Sequence, residues 1–198
     1  MATGVTGRER AKASRQAALL REAARLFAAH GFNGVSLEDL GTAVGVSGPA
    51  IYRHFANKQA LLGAVLTDVS ARLHDGGLAV VHEDVPADEL LERLVAFHVD
   101  FALDGADVIR VQDRDLQSLS DEDRHAVRRL QREYVELWVS VLQQLHPEAP
   151  AVALRVRAHA AFGLINSTPH SVRALQPVPD EGEVRAILTA MALAGLRL

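Results

Sequence analysis

The chain has 198 residues, 48% of them hydrophobic and none of them cysteine, with a net charge of −4. This length allows one domain or two small ones, and the apolar content is ample for a buried core. The lack of cysteine excludes disulfides, zinc-thiolate sites and a cysteine nucleophile.

The charge is unevenly distributed along the chain. Residues 1–60 hold eight Lys or Arg against four Asp or Glu, a net charge of +4, so the remaining residues carry −8. This asymmetry indicates a small basic module that meets phosphates and a larger acidic body, with chance clustering as the alternative. No apolar run is long enough to cross a bilayer, and the amino terminus lacks the apolar centre of a secretory signal, so we expect a cytoplasmic protein without a membrane partner.

The first predicted element is a flexible basic arm over residues 1–14. Apolar residues then recur at helical spacing over 15–29 while arginines occupy another face, which predicts an amphipathic helix. The pair His30-Gly31 ends this helix, because glycine is favoured just past a helix carboxyl end.

A helix-turn-helix is predicted over residues 36–55. Ser36 offers an N-cap for a first short helix, and Asp39 is spaced to reach back to it in a variant of the capping box. Gly45 supplies the turn, and Ser47 caps the second helix. Because a major groove about 12 Å wide admits one such helix, this unit is predicted to bind DNA.

The second helix presents side chains that suit a DNA groove. Gly48 and Ala50 are small enough to let the helix approach base edges closely. Arg53 is able to pair bidentately with guanine or to clamp a phosphate. Hydrogen-bond donors suited to phosphates accompany it: Tyr52, His54 and Lys58. Simple surface exposure is the alternative explanation for the tyrosine and the histidine.

Helical patterns continue to the end of the chain. Asn57 is predicted to cap a longer helix that ends near Asp75-Gly76-Gly77. Five further helices are predicted over 86–103, 107–118, 121–145, 150–168 and 181–197. No strand pattern or fixed-period repeat is present. The sequence therefore predicts an all-α protein with an N-terminal helix-turn-helix DNA-binding domain over 15–60 and a larger helical body over 61–198.

Two segments carry a resemblance to a known family. AALLREAARLFAAHGF at 17–32 and VSLEDLGTAVGVSGPAIYRHFANKQALLGAVL at 35–66 resemble the tetracycline-repressor (TetR/AcrR) family of bacterial transcription regulators. The resemblance implies a repressor that a small-molecule effector releases from its operator. It also implies that the body over 61–198 is a ligand-binding and dimerisation domain.

By the same resemblance, Tyr52, His54 and Lys58 of AIYRHFANKQALL contact phosphates. The full set of DNA-binding candidates is Ser36, Thr42, Ser47, Gly48, Pro49, Ala50, Tyr52, Arg53, His54 and Lys58. Pro49 and Ala50 cannot donate side-chain hydrogen bonds. Base readout therefore depends on Arg53, on the Ser36 and Thr42 hydroxyls, on contact with thymine methyl groups or on DNA shape.

The resemblance further implies a homodimer, for which we expect the helices over 150–168 and 181–197 to supply the interface. Their small and aliphatic residues suit a four-helix interface. These are Leu154, Val156, Ala160, Ala161 and Leu164 in one helix and Val184, Ile187, Leu188, Met191 and Leu196 in the other. A core within one chain is the alternative. A two-fold dimer predicts a palindromic operator in double-stranded DNA.

An effector pocket is implied among the middle helices. Its candidate residues are Phe97, His98, Phe101, Arg110, Arg114, Tyr134, Trp138, Phe162 and Asn166. Core packing is the alternative for the aromatic residues, and His98 has the alternative of a satisfied core histidine. The polar stretch over 166–171 either lines the pocket or caps a following short helix.

Three segments suggest the chemistry of the effector. RVQDRDLQSL, LQREYVELWVSVL and AAFGLINSTPHSV resemble actinobacterial TetR regulators associated with lipid and acyl-CoA metabolism. An acyl thioester needs an apolar slot and cations for its phosphates. Arg124, Arg128 and Arg132 form a basic ridge at i, i+4 and i+8, for which pairing with nearby carboxylates is the alternative. An acyl-CoA effector is therefore a hypothesis.

Enzymatic and cofactor functions find little support in the sequence. There is no glycine-rich phosphate loop, no His-Glu-x-x-His motif and no nucleophile elbow, and the nine histidines never lie four residues apart. We therefore predict a regulator that is not an enzyme and has no cofactor or metal. The alternative function is a helical bundle that binds a small molecule or haem and has no DNA role.

Overall fold

The computed structural model describes residues 7–43, 45, 51–172 and 174–198, with residues 8–15 and 170 described by their backbone alone. The α-helices of these residues are α1 Gly7–His30, α2 Leu37–Ala43, α3 Lys58–Val81, α4 Ala87–Asp104, α5 Ala106–Asp115, α6 Asp121–Leu145, α7 Ala151–Val172 and α8 Glu181–Leu196. A short 3-10 helix, Leu116–Ser118, follows α5. The described residues contain no strand, and the all-α prediction is confirmed. None of their helices is both long and apolar enough to span a bilayer.

The chain divides into two compact units. The first unit comprises Met1–Asp68 and Arg110–His125, and the second comprises Val69–Ile109 and Ala126–Leu198. The boundary predicted at residue 60 falls inside the first unit, and the DNA-binding and ligand-binding domains over 15–60 and 61–198 stay predictions. Residues 110–125 join the first unit although they lie far from it in the sequence.

Side-chain caps fix the starts of α2 and α3. The Ser36 Oγ accepts from the Asp39 N–H at 3.1 Å, and the Asp39 carboxylate accepts from the Ser36 N–H at 2.9 Å. This is the predicted capping box, which satisfies two backbone donors at once. At α3, the Asn57 Oδ1 accepts from the Ala60 N–H at 2.8 Å. Both predicted caps are confirmed.

Two glycines have a left-handed backbone at the predicted turns. Gly31 follows α1 with a φ of +80°, and Gly45 follows α2 with a φ of +69°. L side chains rarely adopt such angles, so these positions favour glycine. The Gly31 N–H closes α1 by donating to the Phe27 carbonyl oxygen at 2.8 Å.

Three helices are longer than predicted. α1 begins at Gly7, so residues 7–14, expected to form a flexible arm, have a helical backbone. Alanine, arginine, lysine and glutamate make up most of this segment and favour a helix. α3 continues past Gly76 and Gly77 to Val81. α7 continues to Val172, so the polar stretch over 166–171 extends this helix and does not cap a following one.

Gly76 and Gly77 serve close packing and do not end α3. A Cβ atom on Gly76 would collide with the Phe97 ring of α4, and one on Gly77 would collide with the Tyr134 ring of α6. Glycine therefore lets α4 and α6 approach α3 closely within the second unit.

α8 packs one face against α4 and α7 and leaves another face open. The predicted dimer residues accordingly divide into two sets. Those buried within the chain are Leu154, Ala161, Val184, Leu188 and Leu196. Of the others, Val156, Ile187 and Met191 are each more than 50% exposed, Ala160 is exposed and Leu164 is half-buried. Val152 of α7, which was not among the predicted residues, is also more than 50% exposed. The alternative of a core within one chain therefore applies to one face of each helix, and the other face stays exposed.

Replacing Ser36 with alanine is expected to lower the free energy of unfolding by about 1 kcal/mol, because the Asp39 N–H loses its acceptor. Urea unfolding followed by circular dichroism measures this change. Ser140→Ala is the matched control, since Ser140 lies inside α6 and donates only to the Leu137 carbonyl oxygen. Alanine is favoured inside a helix, so the control should lose no stability. Equal losses in the two variants would contradict the capping role.

Candidate functional site

Arg53 and His54 are exposed. They directly follow the last helical residue of the second helix of the helix-turn-helix. Ile51 and Phe55 beside them are buried. Neither the Arg53 nor the His54 side chain makes a hydrogen bond or ion pair with another described residue. No described residue therefore occupies their donors, which suit an external acceptor such as a phosphate oxygen or a guanine edge.

The hydroxyl groups of the predicted DNA face are engaged within the first unit. The Ser36 O–H donates to Asp39 Oδ2 at 2.7 Å, and the Thr42 O–H donates to the Glu38 carbonyl oxygen at 2.9 Å. The Tyr52 O–H donates to Glu38 Oε1 at 2.8 Å. Since a hydroxyl has one proton to donate, none of the three is a free donor. The described donors left for DNA are therefore the cationic side chains and His54.

Lys58 is held in place at the first residue of α3. Its Nζ lies 4.6 Å from the centroid of the Phe32 ring, which is a cation–π distance. The unpaired N–H groups of a helix amino end favour an anion nearby. Lys58 is therefore fixed at a position suited to a phosphate oxygen.

Four DNA-binding candidates lie outside the described residues: Ser47, Gly48, Pro49 and Ala50. Their groove-facing roles remain predictions.

Five of the predicted effector residues meet in the second unit, and we call them the polar core: His98, Tyr134, Trp138, Phe162 and Asn166. His98 is 3% exposed. Its Nδ1 lies 3.2 Å from the Tyr134 hydroxyl, and its Nε2 lies 3.1 Å from Asn166 Oδ1. The Phe162 ring centroid lies 4.8 Å from that of His98 and 4.9 Å from that of Trp138.

The hydrogen bonds of the polar core run in one direction. Asn166 Oδ1 only accepts, so His98 Nε2 carries the hydrogen and Nδ1 accepts from the Tyr134 O–H. This leaves the amide NH2 of Asn166, a partly exposed residue, as a pair of donors. The Trp138 indole N–H is close to the Tyr134 hydroxyl, yet no acceptor in the described part of the chain satisfies it with ordinary geometry. The polar core therefore carries donor capacity that the chain itself does not use.

His98 is expected to make the protein less stable in mild acid. Burial lowers its pKa from 6.5 to about 4, so between these values the unfolded chain binds a proton that the folded chain excludes. Stability is then lost as the pH falls, by about 2 kcal/mol between pH 7 and pH 5. Urea unfolding at the two pH values measures this loss. His98→Asn, which does not titrate, should lose about 2 kcal/mol less over the same interval, and equal losses would contradict the burial of a neutral His98.

The other predicted effector residues do not join the polar core. Phe97 packs on Gly76, and Phe101 is partly buried at the edge, with its ring centroid 6.0 Å from that of His98. Arg110 is exposed and belongs to the first unit. Their role in binding an effector stays a prediction.

Arg114 has a role in the first unit that the sequence did not reveal. Its guanidinium donates to the Phe27 and Ala28 carbonyl oxygens at the end of α1 and to the buried Asp115 carboxylate. The Asp115 carboxylate also raises the pKa of Arg114. Arg114 therefore pairs the Ala28 carbonyl oxygen at the helix end and adds a second donor to the Phe27 carbonyl oxygen, which Gly31 already bonds, and the structure does not place it in an effector site.

An open cleft of about 580 Å³ lies in the second unit between α3 and α6. Its lining residues are His74, Arg129, Arg132, Glu133, Glu136 and Leu137. Arg129 and Arg124 pair with Glu133 and Asp121, as the ion-pair alternative predicted. Arg128 and Arg132 are exposed and make no ion pair with another described residue. Within the described part of the chain, the ridge therefore keeps two cations without an ion-pair partner.

Comparison with protein families identifies the chain. A family model of bacterial regulatory proteins of the tetR family matches residues 19–65, and a model of the tetracyclin repressor-like C-terminal domain matches residues 84–170. The two matches together cover more than half of the chain. The chain belongs to the TetR family. The family prediction is thus confirmed, as is the prediction of a regulator that is not an enzyme, and the alternative of a bundle without a DNA role loses its support.

Two relatives of the chain are named as repressors. The HTH-type transcriptional repressor Rv3405c of Mycobacterium tuberculosis is 34% identical over 113 residues, which are 55% of this chain and 55% of the repressor. The repressor KstR2 of Rhodococcus jostii is 28% identical over 134 residues, 67% of this chain and 65% of KstR2. The chain thus spans about half the length of the mycobacterial relatives that it matches.

Solved TetR-family structures share the fold. PfmR of Thermus thermophilus superposes with a TM-score of 0.75 at 23% identity, over 90% of this chain and 98% of PfmR. AibR, solved with isovaleryl coenzyme A and operator DNA, gives 0.72 at 19% identity, over 89% and 97%. FadR of Bacillus subtilis, solved with stearoyl-CoA, gives 0.68 at 17% identity, over 89% and 97%. At these identities the likeness shows the fold alone.

Glu38 is the residue of this TetR-family site that sequence reasoning missed. It was counted only as a charge, because a bond from Tyr52 spans 14 residues and follows no helical or capping spacing.

The described residues hold no group of three or more His, Asp or Glu side chains arranged to bind a metal ion.

Proposed function

We propose that the chain is a homodimeric DNA-binding regulator of the cytoplasm that recognises a palindromic operator and leaves it when a small molecule binds the second unit. Family membership and the two relatives named as repressors support this direction of control. The first unit supplies the DNA contacts, and the exposed face of α7 and α8 supplies the dimer contacts.

The observation that carries the proposal is that the exposed Arg53 and His54 side chains, beside a capped helix-turn-helix, bond no other described residue. An exposed arginine that is paired with a neighbouring carboxylate has no need of a ligand. Arg53 has no such pair among the described residues, so its two-pronged guanidinium suits a phosphate or a guanine edge. Lys58 adds a fixed cation next to them. Three phosphate or base contacts from each copy give six or more in a dimer.

Selection of bound sequences from a pool of random duplexes, with the full chain, tests the proposal. We expect an inverted repeat, and a gel shift whose affinity falls by about a thousandfold between 50 and 200 mM salt. A protein that enriches no sequence would contradict the proposal. Absorbance of the purified protein in the haem region would instead favour the bundle without a DNA role.

The dimer proposal rests on exposed apolar surface. Val152 and Val156 of α7 and Ile187 and Met191 of α8 are each more than half exposed. A Cβ atom on Gly163 or Gly195, on the same helices, would meet no atom of a neighbouring described element within 4 Å. Exposed large apolar residues beside small ones suit the close helix packing of a two-fold interface.

An acyl-CoA is the effector class that we propose for the second unit. The Asn166 amide and the Trp138 indole offer donors for an uncharged acceptor such as a thioester carbonyl oxygen, beside the aromatic surface of Phe162. Arg128 and Arg132 offer unpaired cations for phosphates. The solved structures of AibR and FadR with coenzyme A esters agree with this class.

Isothermal titration with short, medium and long acyl-CoAs tests the effector class. We expect heat of binding and release of the operator, with the effector weakening DNA affinity by the same factor by which DNA weakens effector affinity. No heat and no release with any of them would remove acyl-CoA from the proposal, while leaving DNA binding untouched.

A further inference from the structure

Glu38 of α2 holds the hydroxyl of Tyr52, one of the residues predicted to contact a phosphate. The Tyr52 O–H donates to Glu38 Oε1 at 2.8 Å. Both side chains lie on the exposed surface of the first unit, and Tyr52 is 49% exposed. The bond is therefore made where DNA is expected to approach.

A tyrosine hydroxyl has a single proton to donate. While the Tyr52 proton is donated to Glu38, it is not available to a phosphate oxygen, and the phenol oxygen has nothing else to offer an anion. Contact between Tyr52 and a phosphate therefore requires that the bond to Glu38 first be broken.

The charge of Glu38 acts in the same direction. A phosphate that accepted from Tyr52 would lie beside a carboxylate, and like charges at short range repel. The neighbouring carboxylate of Asp39 is occupied by the N–H and O–H of Ser36. Glu38 is thus the carboxylate that bonds Tyr52.

We propose that Glu38 is a positioning residue that restrains Tyr52 in the DNA-free protein and limits DNA affinity. Tyr52 can bond a phosphate only by giving up its hydrogen bond to Glu38, so one hydrogen bond replaces another. This inference rests on the proposed DNA-binding function. Phosphate contacts carry no direct sequence information. The restraint therefore lowers affinity for the operator and for an unrelated duplex by the same factor.

Glu38→Gln tests the restraint, because it weakens the acceptor and removes the charge. We expect binding to the operator and to an unrelated duplex to tighten by about 3- to 10-fold, with an unchanged ratio between them. In a Tyr52→Phe background the gain should fall below about twofold, since no hydroxyl remains to be released. Gel shifts of the four proteins measure these gains.

Glu122→Gln is the matched control. Glu122 is exposed on α6 in the first unit and makes no hydrogen bond with another described residue. Glu122→Gln removes the same charge as Glu38→Gln but releases no tyrosine hydroxyl, so DNA affinity should not change. Weaker binding by Glu38→Gln would overturn the inference by making Glu38 a DNA contact, and an equal gain in the Tyr52→Phe background would overturn it by making charge alone the cause.

A titration without DNA separates this inference from the proposed function. The chain has two tyrosines, and burial raises the pKa of Tyr134, so the first tyrosinate absorbance transition belongs to Tyr52. The hydrogen bond to Glu38 raises the pKa of Tyr52; Glu38→Gln should therefore move this transition to lower pH, whereas Glu122→Gln should not. An unmoved transition contradicts the restraint alone, whereas a wild-type protein that selects no DNA contradicts the proposed function.

Discussion

Replacing Ile187 and Met191 together with aspartate is expected to make the protein monomeric and to weaken operator binding by at least about a hundredfold. Both side chains are more than half exposed on α8, so the substitution leaves the core of one chain intact. In a two-fold interface built on the exposed apolar residues of α7 and α8, each aspartate would be buried against apolar surface, and burial of a charge there is strongly unfavourable. The monomer would bind one half-site and would lose the avidity that two linked DNA-binding units give a dimer.

Light scattering after size exclusion measures the mass, and a gel shift on the selected operator measures the affinity. Ala79→Asp combined with Ala96→Asp is the matched control, because it places two aspartates at exposed positions of α3 and α4. The control should stay dimeric and bind normally. A dimer of unchanged stability in the Ile187 and Met191 variant would place the interface on another surface.

The local elements of the first unit follow from the sequence, because they depend on neighbouring residues. Ser36 and Asp39 are three residues apart and cap each other. Gly31 and Gly45 take the left-handed backbone that their turns require. Such features involve one turn of chain at a time, so spacing and residue type are sufficient to predict them.

Features that depend on tertiary packing were not predictable in this way. Gly76-Gly77 has the pattern of a helix end, yet its glycines make room for the Phe97 and Tyr134 rings. Arg114 was assigned to an effector site, yet it binds carbonyl oxygens at the end of α1, which lie more than 80 residues away. A single sequence carries no signal for such pairs, because the partner lies on an element whose position packing decides.

The candidate effector site was predicted in part. Aromatic and polar residues at helical spacing on α4, α6 and α7 do meet in the polar core, because each lies on the inward face of its helix. The hydrogen-bond direction from Tyr134 through His98 to Asn166 emerged only from the structure, since it depends on which atoms face each other. That direction decides that the core presents amide donors, which favours a ligand with an acceptor.

Arg53→Ala is expected to cost about 1–3 kcal/mol of operator affinity and to relax the preference at one base pair of each half-site. The hydroxyls of Ser36, Thr42 and Tyr52 already donate within the first unit. Arg53 is therefore the described side chain best able to read a base, since its fork matches the two acceptors of a guanine edge.

Arg53→Lys separates base readout from phosphate binding. Lysine keeps the charge and loses the planar fork. If Arg53 reads guanine, Arg53→Lys should lose most of the sequence preference while keeping the salt dependence of wild type. Arg128→Ala, which removes an exposed arginine of the second unit, is the control and should change neither. Selection from random duplexes, repeated with each variant, measures the preference. An unchanged preference in Arg53→Ala would make Arg53 a phosphate clamp, and specificity would then depend on DNA shape and on the spacing of the two heads.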